Sequence, residues 1–247
     1  MIQLDKKRVV LTGAGGGLGT RLVAAFRAAG AEVVVCDRAG ACMPADLESH
    51  HFDLSDPAAV ASGADAILAN GSPDIFVSNA GVTTAEVLDD LTPDRLASEL
   101  AANFTGAADL SARLVPGMCE RGGAMVFVAS VNGLSHYGNP AYSAAKAALL
   151  GWMRAIATEK GRFGLRANAV CPGSIRTPVW DARIAADPRV LENVAKLYPL
   201  GRFVTPDEVA NAVLFLASPL ASGITGVTMP VDAGLSGGNL PFIDAIT

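Results

Sequence analysis

"RVVLTGAGGGLGTRLVAAFRAAGAEVVVCD", residues Arg8 to Asp37, sets two short apolar runs on either side of a glycine-rich turn and a longer segment. "RVVLTG" and "AEVVVCD" have the length and β-branched content of buried strands, and "LGTRLVAAFRAAG" between them reads as a helix. The same alternation continues through "DIFVSNAG", a helical stretch from about Pro93 to Cys119, "AMVFVAS", a helix holding Tyr142, "LRANAVCPG", a helix from about Pro206, and "GVTMPVD". Continuously apolar strands separated by helices imply a parallel sheet covered on both faces, a doubly wound α/β fold. No Pro/Ser-rich linker or charge run divides the 247 residues, so 1–247 is read as a single domain.

Composition narrows the function classes. Hydrophobic residues make up 51% and charged residues 17% of the chain, which suits a well-buried core and excludes disorder. A net charge of −5 and a sequence pI near 5.2 leave no basic stripe, so no nucleic-acid partner is expected. Cys36, Cys42, Cys119 and Cys171 lack CxxC spacing, and His50, His51 and His136 have no metal-ligand pattern, so no metal is expected. The first residues, "MIQLDKKRVVLTG", fit a strand better than a signal peptide, and a cytoplasmic location is the expectation. Val209 to Val231 carries no charge over 23 positions, long enough to cross a bilayer. Pro219, Gly223, Gly226 and Pro230 break it, and a helix, loop and buried strand are expected instead of a membrane span.

The turn "TGAGGGLG" lies where such a fold binds phosphate. Glycines allow backbone N–H groups to approach a pyrophosphate, and the helix from near Leu18 points its positive end at the anion. Gly13, Gly17 and Gly19 are the spaced positions; tight turns also use glycine for purely conformational reasons. Asp37 ends the second strand 18 residues beyond Gly19, near the distance at which an acid meets an adenosine ribose. Its carboxylate suits a free 2′-hydroxyl and repels a 2′-phosphate, which favours NAD over NADP. Arg38 stands beside it as either a phosphate contact or a solvated loop residue.

"AYSAAKAALL", Ala141 to Leu150, places Tyr142 and Lys146 four apart on one helix face. A lysine charge close to the phenol is expected to pull its pKa below about 10, toward use in proton transfer. Alone, the pair also fits a half-buried tyrosine with a snorkelling lysine.

Together these motifs resemble the short-chain dehydrogenase/reductase family, in its compact single-domain branch with a Rossmann-type sheet, across essentially the whole chain. "TGAGGGLG" matches TGxxxGxG, "SNAG" (Ser78 to Gly81) is similar to the NNAG turn, and "YSAAK" matches YxxxK. Ser130 precedes Tyr142 by 12 residues, Asn103 stands in "NFTG", and "CPGSIRTP" is similar to the Pro-Gly segment beside the nicotinamide. Two departures are the Ser78 in place of Asn and a serine-to-tyrosine spacing shorter by one than in many members. Gly16 occupies the place where a basic residue often accompanies NADP.

The resemblance implies hydride transfer between NAD and a secondary alcohol or ketone. Tyr142 is implied as general acid/base, Ser130 as hydrogen-bond donor to the reacting oxygen, Lys146 as holder of the ribose hydroxyls, and Asn103 as holder of a proton-relaying water. Implied cofactor contacts are Gly13, Gly17, Leu18, Gly19, Asp37, Asp53, Leu54, Asn79, Ala80, Gly81, Pro172, Gly173, Ile175 and Thr177, with Tyr142 and Lys146. Asp53 to Asp56, "DLSD", also reads as a helix N-cap. Val131, Asn132, His136, Tyr137, Trp180 and Ile184 are expected around the substrate. The partners expected are a small-molecule alcohol or ketone and further copies of the chain, as a tetramer or dimer. An NADPH-linked 3-oxoacyl reductase, a nucleotide-sensing module without turnover, and a methyltransferase of similar topology are the competing readings. The tail "LSGGNLPFIDAIT" is open between a cover for a pocket or neighbour and a frayed end.

Overall fold

The computed structural model describes residues 2–83, 87–176, 180, 184–187 and 189–246. Its centre is β1, Arg8–Thr12, in which Val9, Val10 and Leu11 are all fully buried. Successive residues of a strand point to opposite faces, so burial of all three requires cover on both sides. Val9 and Leu11 pack with Leu22 and Phe26 of α1 (Gly17–Ala28) and with Val209 and Val213 of a late helix. Val10 packs on the other side with Ile67 and Leu114. The apolar runs in the sequence are thus continuous because the sheet has no solvated face.

Seven described strands form one sheet, every pairing parallel: β1, β2 (Glu32–Asp37), β3 (Glu48–His51), β4 (Ile75–Ser78), β5 (Gly123–Val128), β6 (Leu165–Pro172) and β7 (Thr228–Val231). Their order is β3-β2-β1-β4-β5-β6-β7, which makes the sheet Rossmann-like. The chain runs outward from β1 in one direction, then returns to build the other half from β4. Between β1 and β4 the covering helices diverge, leaving a crevice at the carboxyl ends of the strands.

The helices begin where short polar side chains and proline allow. Asp56 caps α2 (Pro57–Ala69) by accepting from Ala58 N at 2.9 Å and Ala59 N at 3.2 Å, with Pro57 in the first turn. Thr92 caps α3 (Pro93–Leu100). A π-helical turn over Ala101–Thr105 joins α3 to α4 (Gly106–Cys119), so the long predicted helix is one rod with a widened turn. Then come α5 (Pro140–Lys160), α6 (Arg189–Ala195), α7 (Pro206–Ala217) with a Thr205/Glu208 capping box, and α8 (Leu240–Ile246).

The uncharged stretch from Val209 resolves into α7, a 3₁₀ turn at Pro219–Ala221 and β7. Among the described residues no helix is long and apolar enough to cross a membrane. The tail forms α8 with Phe242 and Ile246 exposed. One strand has no counterpart in the sequence reading: β3, "ESHH", is an edge strand with no apolar run. Its Glu48 accepts two hydrogen bonds from the Arg8 guanidinium, at 2.7 and 2.9 Å, with His50 and Asn70 also in contact.

Candidate active site

A cleft of about 1070 Å³ follows the carboxyl edge of the sheet from Asp37 and Arg38, across the glycine turn, to Tyr142, Lys146 and Pro172. Its floor is set by how β1 and β4 end. Thr12 Oγ1 accepts from Asn79 N at 3.1 Å and Ala80 N at 3.2 Å, while Asn79 Nδ2 donates to the carbonyls of Thr12 and Gly13, both at 3.0 Å. Asn79 therefore ties the two strand ends together, and its side chain is spent on backbone.

Two glycines in the turn are dictated by packing. Gly13 has φ +70°, and a Cβ there would stand 2.7 Å from Ala80 Cα. A Cβ on Gly19 would collide with the Gly13 carbonyl oxygen. Gly15 N donates to Asp37 Oδ2 at 2.9 Å, and Asp37 Oδ1 accepts from Arg38 N at 2.8 Å. Asp37 thus both closes the turn and borders the cleft. Gly16 at the α1 N-cap offers no side chain, so the first N–H groups of that helix face the cleft uncapped.

Asp53 and Leu54 border the same end. Asp53 Oδ1 accepts from Ser55 N at 2.8 Å and Ser55 Oγ at 2.7 Å, which holds its carboxyl below the usual range. The cap reading of "DLSD" belongs to Asp56, leaving Asp53 for the cleft.

At the other end, β5 leads into Ser130 and α5 carries Tyr142 and Lys146. Ser130 is buried and its Oγ accepts from Asn132 N at 3.1 Å. Tyr142 is half-buried in the cleft wall. Burial pushes its phenol up to about 12, with Ser130 opposing the rise and the charge of Glu99 adding to it. The expected pull from Lys146 is corrected here. Its ammonium lies over the ring, 5.5 Å from the centroid, and burial lowers Lys146 itself to about 8. Desolvation dominates at both groups. Lys146 is 3% exposed, and its one hydrogen bond among the described residues is from Nζ to Val128 O at 3.2 Å. An ammonium has three donors, so two remain toward the cleft.

Asn103 sits in the π-helical turn, fully enclosed. Its Oδ1 accepts from Val82 N at 3.1 Å, and Nδ2 donates to Val82 O at 2.8 Å and Glu99 Oε2 at 2.8 Å. Asn103 does not border the cleft but braces the loop that does. Glu99, absent from the sequence reading, is 3% exposed and borders the cleft. Its position four residues before Asn103 was the available signal.

Pro172 ends β6, and Gly173 and Ile175 follow it into the cleft wall, while Thr177 lies outside the described residues. Of the residues expected around the substrate, Val131 is buried in place of lining the cleft, and Asn132 Nδ2 bonds Gly138 O at 2.7 Å and Ser143 Oγ at 2.9 Å. Both stiffen the loop. His136 and Tyr137 are exposed on it, and Trp180 packs on Phe203 with ring centroids 4.8 Å apart.

The cleft fits a dinucleotide by its own chemistry: an acid at one end, uncapped helix N–H groups in the middle, and a buried ammonium with spare donors at the other. That defines a Rossmann-type nucleotide-binding protein. Residues 13–236 match the family model described as "Enoyl-(Acyl carrier protein) reductase". The chain is similar to an uncharacterised oxidoreductase of Schizosaccharomyces pombe, 34% identical with 98% of this chain and 96% of that one covered. It is 35% identical to the 3-oxoacyl-[acyl-carrier-protein] reductase MabA of Mycobacterium tuberculosis, over 94% of each. A solved short-chain oxidoreductase from Burkholderia thailandensis superposes with TM-score 0.89 at 42% identity, covering 98% of both chains. The chain belongs to the short-chain dehydrogenase/reductase family, a family that binds nicotinamide cofactors, and is an oxidoreductase of that family.

Proposed function

We propose that the chain is an NAD-dependent oxidoreductase acting on a secondary alcohol or ketone, with Tyr142 as general acid/base. The observation that carries this is the convergence of Ser130, Tyr142 and the buried Lys146 at one end of the cleft whose other end is bordered by Asp37.

When bound, the nicotinamide supplies or takes up the hydride. Tyr142 Oη takes the alcohol proton in oxidation and returns it to the ketone oxygen in reduction. Ser130 hydrogen-bonds that oxygen and steadies the charge that develops on it. Lys146, with two donors toward the cleft, holds ribose hydroxyls and keeps positive charge beside the phenol. Gly13, Gly17, Leu18 and Gly19 seat the pyrophosphate, Asp53 and Leu54 border the adenine, and Asn79, Ala80 and Gly81 form the platform under the ribose. Pro172, Gly173, Ile175 and Thr177 are assigned to the nicotinamide side. Asn103 acts through the loop at Val82 and, as the resemblance implies, through a held water.

Asp37 supports NAD. Its carboxylate is fixed by Gly15 N and Arg38 N, so a 2′-phosphate would meet a negative charge that cannot swing aside without losing both bonds. Steady-state comparison of NAD⁺ and NADP⁺ for wild type and Asp37→Ser tests this: the variant is expected to lose preference for NAD⁺, and unchanged preference would refute the assignment. The 35% identity to MabA favours a second reading, an NADPH-linked 3-oxoacyl reductase with the same Ser130, Tyr142 and Lys146. Activity on 3-oxoacyl thioesters with NADPH and none on simple alcohols with NAD⁺ would select it. A cytoplasmic location and a homo-oligomer complete the proposal. Ala144, Ala147, Gly151 and Ala155 are exposed on α5, a strip of small side chains against which another helix can approach closely.

A further inference from the structure

Glu99 stands in the cleft wall beside the acid/base pair and has no part in the reading above. It lies in the last turn of α3 and is 3% exposed. Its Oε2 accepts from Asn103 Nδ2 at 2.8 Å, and the same amide holds Val82 by both N and O. A Cβ placed on Gly81 would stand 2.9 Å from Asn103 Oδ1 and 3.2 Å from Lys146 Nζ. One point of that loop therefore meets both the amide that Glu99 holds and the ammonium of Lys146.

Charge gives this contiguity a purpose. A buried ammonium is costly without a negative partner, and Val128 O, which accepts from Lys146, is neutral. The groups acting on Lys146 and Tyr142 from the packed elements are Glu99 on α3 and Cys171 on β6. Burial pushes the Cys171 thiol up to about 11, so it is uncharged near neutrality. Asp232, which acts on Cys171, has its carboxylate engaged by Gly234 N, Ser236 N and Ser236 Oγ. Among the described residues, Glu99 is left as the carboxylate facing the pair.

We propose that Glu99 is a positioning residue of the acid/base site, supplying the counter-charge to the buried Lys146 ammonium and orienting Asn103 so that the Gly81–Val82 loop keeps its place. This rests on the assignment of Tyr142 and Lys146 made above. The field of Glu99 raises the proton affinity of both groups, so neutralising it lowers both. Without it Lys146, already drawn down to about 8 by burial, loses its charge nearer neutrality.

Glu99→Gln keeps an acceptor oxygen for Asn103 and removes the charge. The chain has five lysines, so ε-¹³C-lysine NMR of the full protein can follow Lys146, assigned as the signal missing in Lys146→Arg. In Glu99→Gln its midpoint is expected to fall by about one pH unit, the scale of a unit charge acting a few ångströms away inside a protein. The rising limb of kcat/KM for alcohol oxidation moves the same way, and Glu99→Asp restores both. An unmoved Lys146 midpoint in folded Glu99→Gln overturns the proposal. Glu99→Asp keeps the charge and serves as the second variant: a Lys146 midpoint that falls in it as far as in Glu99→Gln overturns the proposal as well. The lysine spectra do not depend on turnover, so failure to oxidise any alcohol would count against the enzymatic reading alone.

Discussion

Tyr142 is harder to ionise here than a tyrosine in water, and its chemistry depends on what opposes its burial. Ser130 is the group that opposes it. Replacing Ser130 with Ala therefore removes a stabiliser of the phenolate. The pH limb of alcohol oxidation is expected to move to higher pH in Ser130→Ala, as well as kcat falling by about 10²-fold or more. Stopped-flow or steady-state pH profiles check this, and a limb that moves down would assign the phenol to another stabiliser. The meeting of Ser130, Tyr142 and Lys146 at one end of the cleft was legible from "YSAAK" and the serine 12 residues before it, because the resemblance carries that spacing. Glu99 was not, since a carboxylate on a helix is ordinarily a solvated one. Nor was the burial that dominates both Tyr142 and Lys146, which depends on what packs over α5.

Elements place these residues, and two of them invite tests. Strand β1 and helix α1 meet so closely at Gly19 that any side chain meets the Gly13 carbonyl. Gly19→Val is expected to destabilise the chain by about 1–3 kcal/mol, the usual cost of overpacking, and to abolish nucleotide binding. Denaturant unfolding with NADH titration measures both; a variant with unchanged stability would remove the packing explanation. Strand β3 is held to the sheet edge by Glu48, whose contacts with Arg8 draw its carboxyl down from 4.5 to about 2. A depressed carboxylate adds stability above its unfolded value and loses it as pH falls through its folded one. Stability should therefore decline between about 4.5 and about 2, with a shallower decline in Glu48→Gln by thermal or urea unfolding. The sequence displayed β1, α1 and β2 because both faces of those strands are covered and their runs are wholly apolar. It concealed β3, whose alternate side chains meet solvent, and the π-helical turn at Ala101–Thr105, which leaves no compositional mark.

At the scale of the molecule, the parallel order of the sheet gathers the ends of β1, β2, β4, β5 and β6 along one edge, which is why residues from Gly13 to Ile175 border one cleft. A ligand spanning that edge ties the two halves together and binds only the folded state. NADH should therefore raise the unfolding temperature in proportion to the logarithm of its concentration. The small-residue strip of α5 makes a further demand. Gly151→Arg, at a position open to solvent, is expected to leave the fold intact and shift sedimentation velocity to the monomer. An unchanged association state would locate the contact elsewhere. The most direct test of the whole proposal is reduction of NAD⁺ and of NADP⁺ by a panel of linear, cyclic and polyol secondary alcohols, with Tyr142→Phe in parallel. Reduction of NAD⁺ in preference to NADP⁺, falling by about 10²–10⁴-fold in a Tyr142→Phe protein that still binds NADH, is the predicted result. Turnover undiminished in Tyr142→Phe, or confined to NADP⁺, would contradict it.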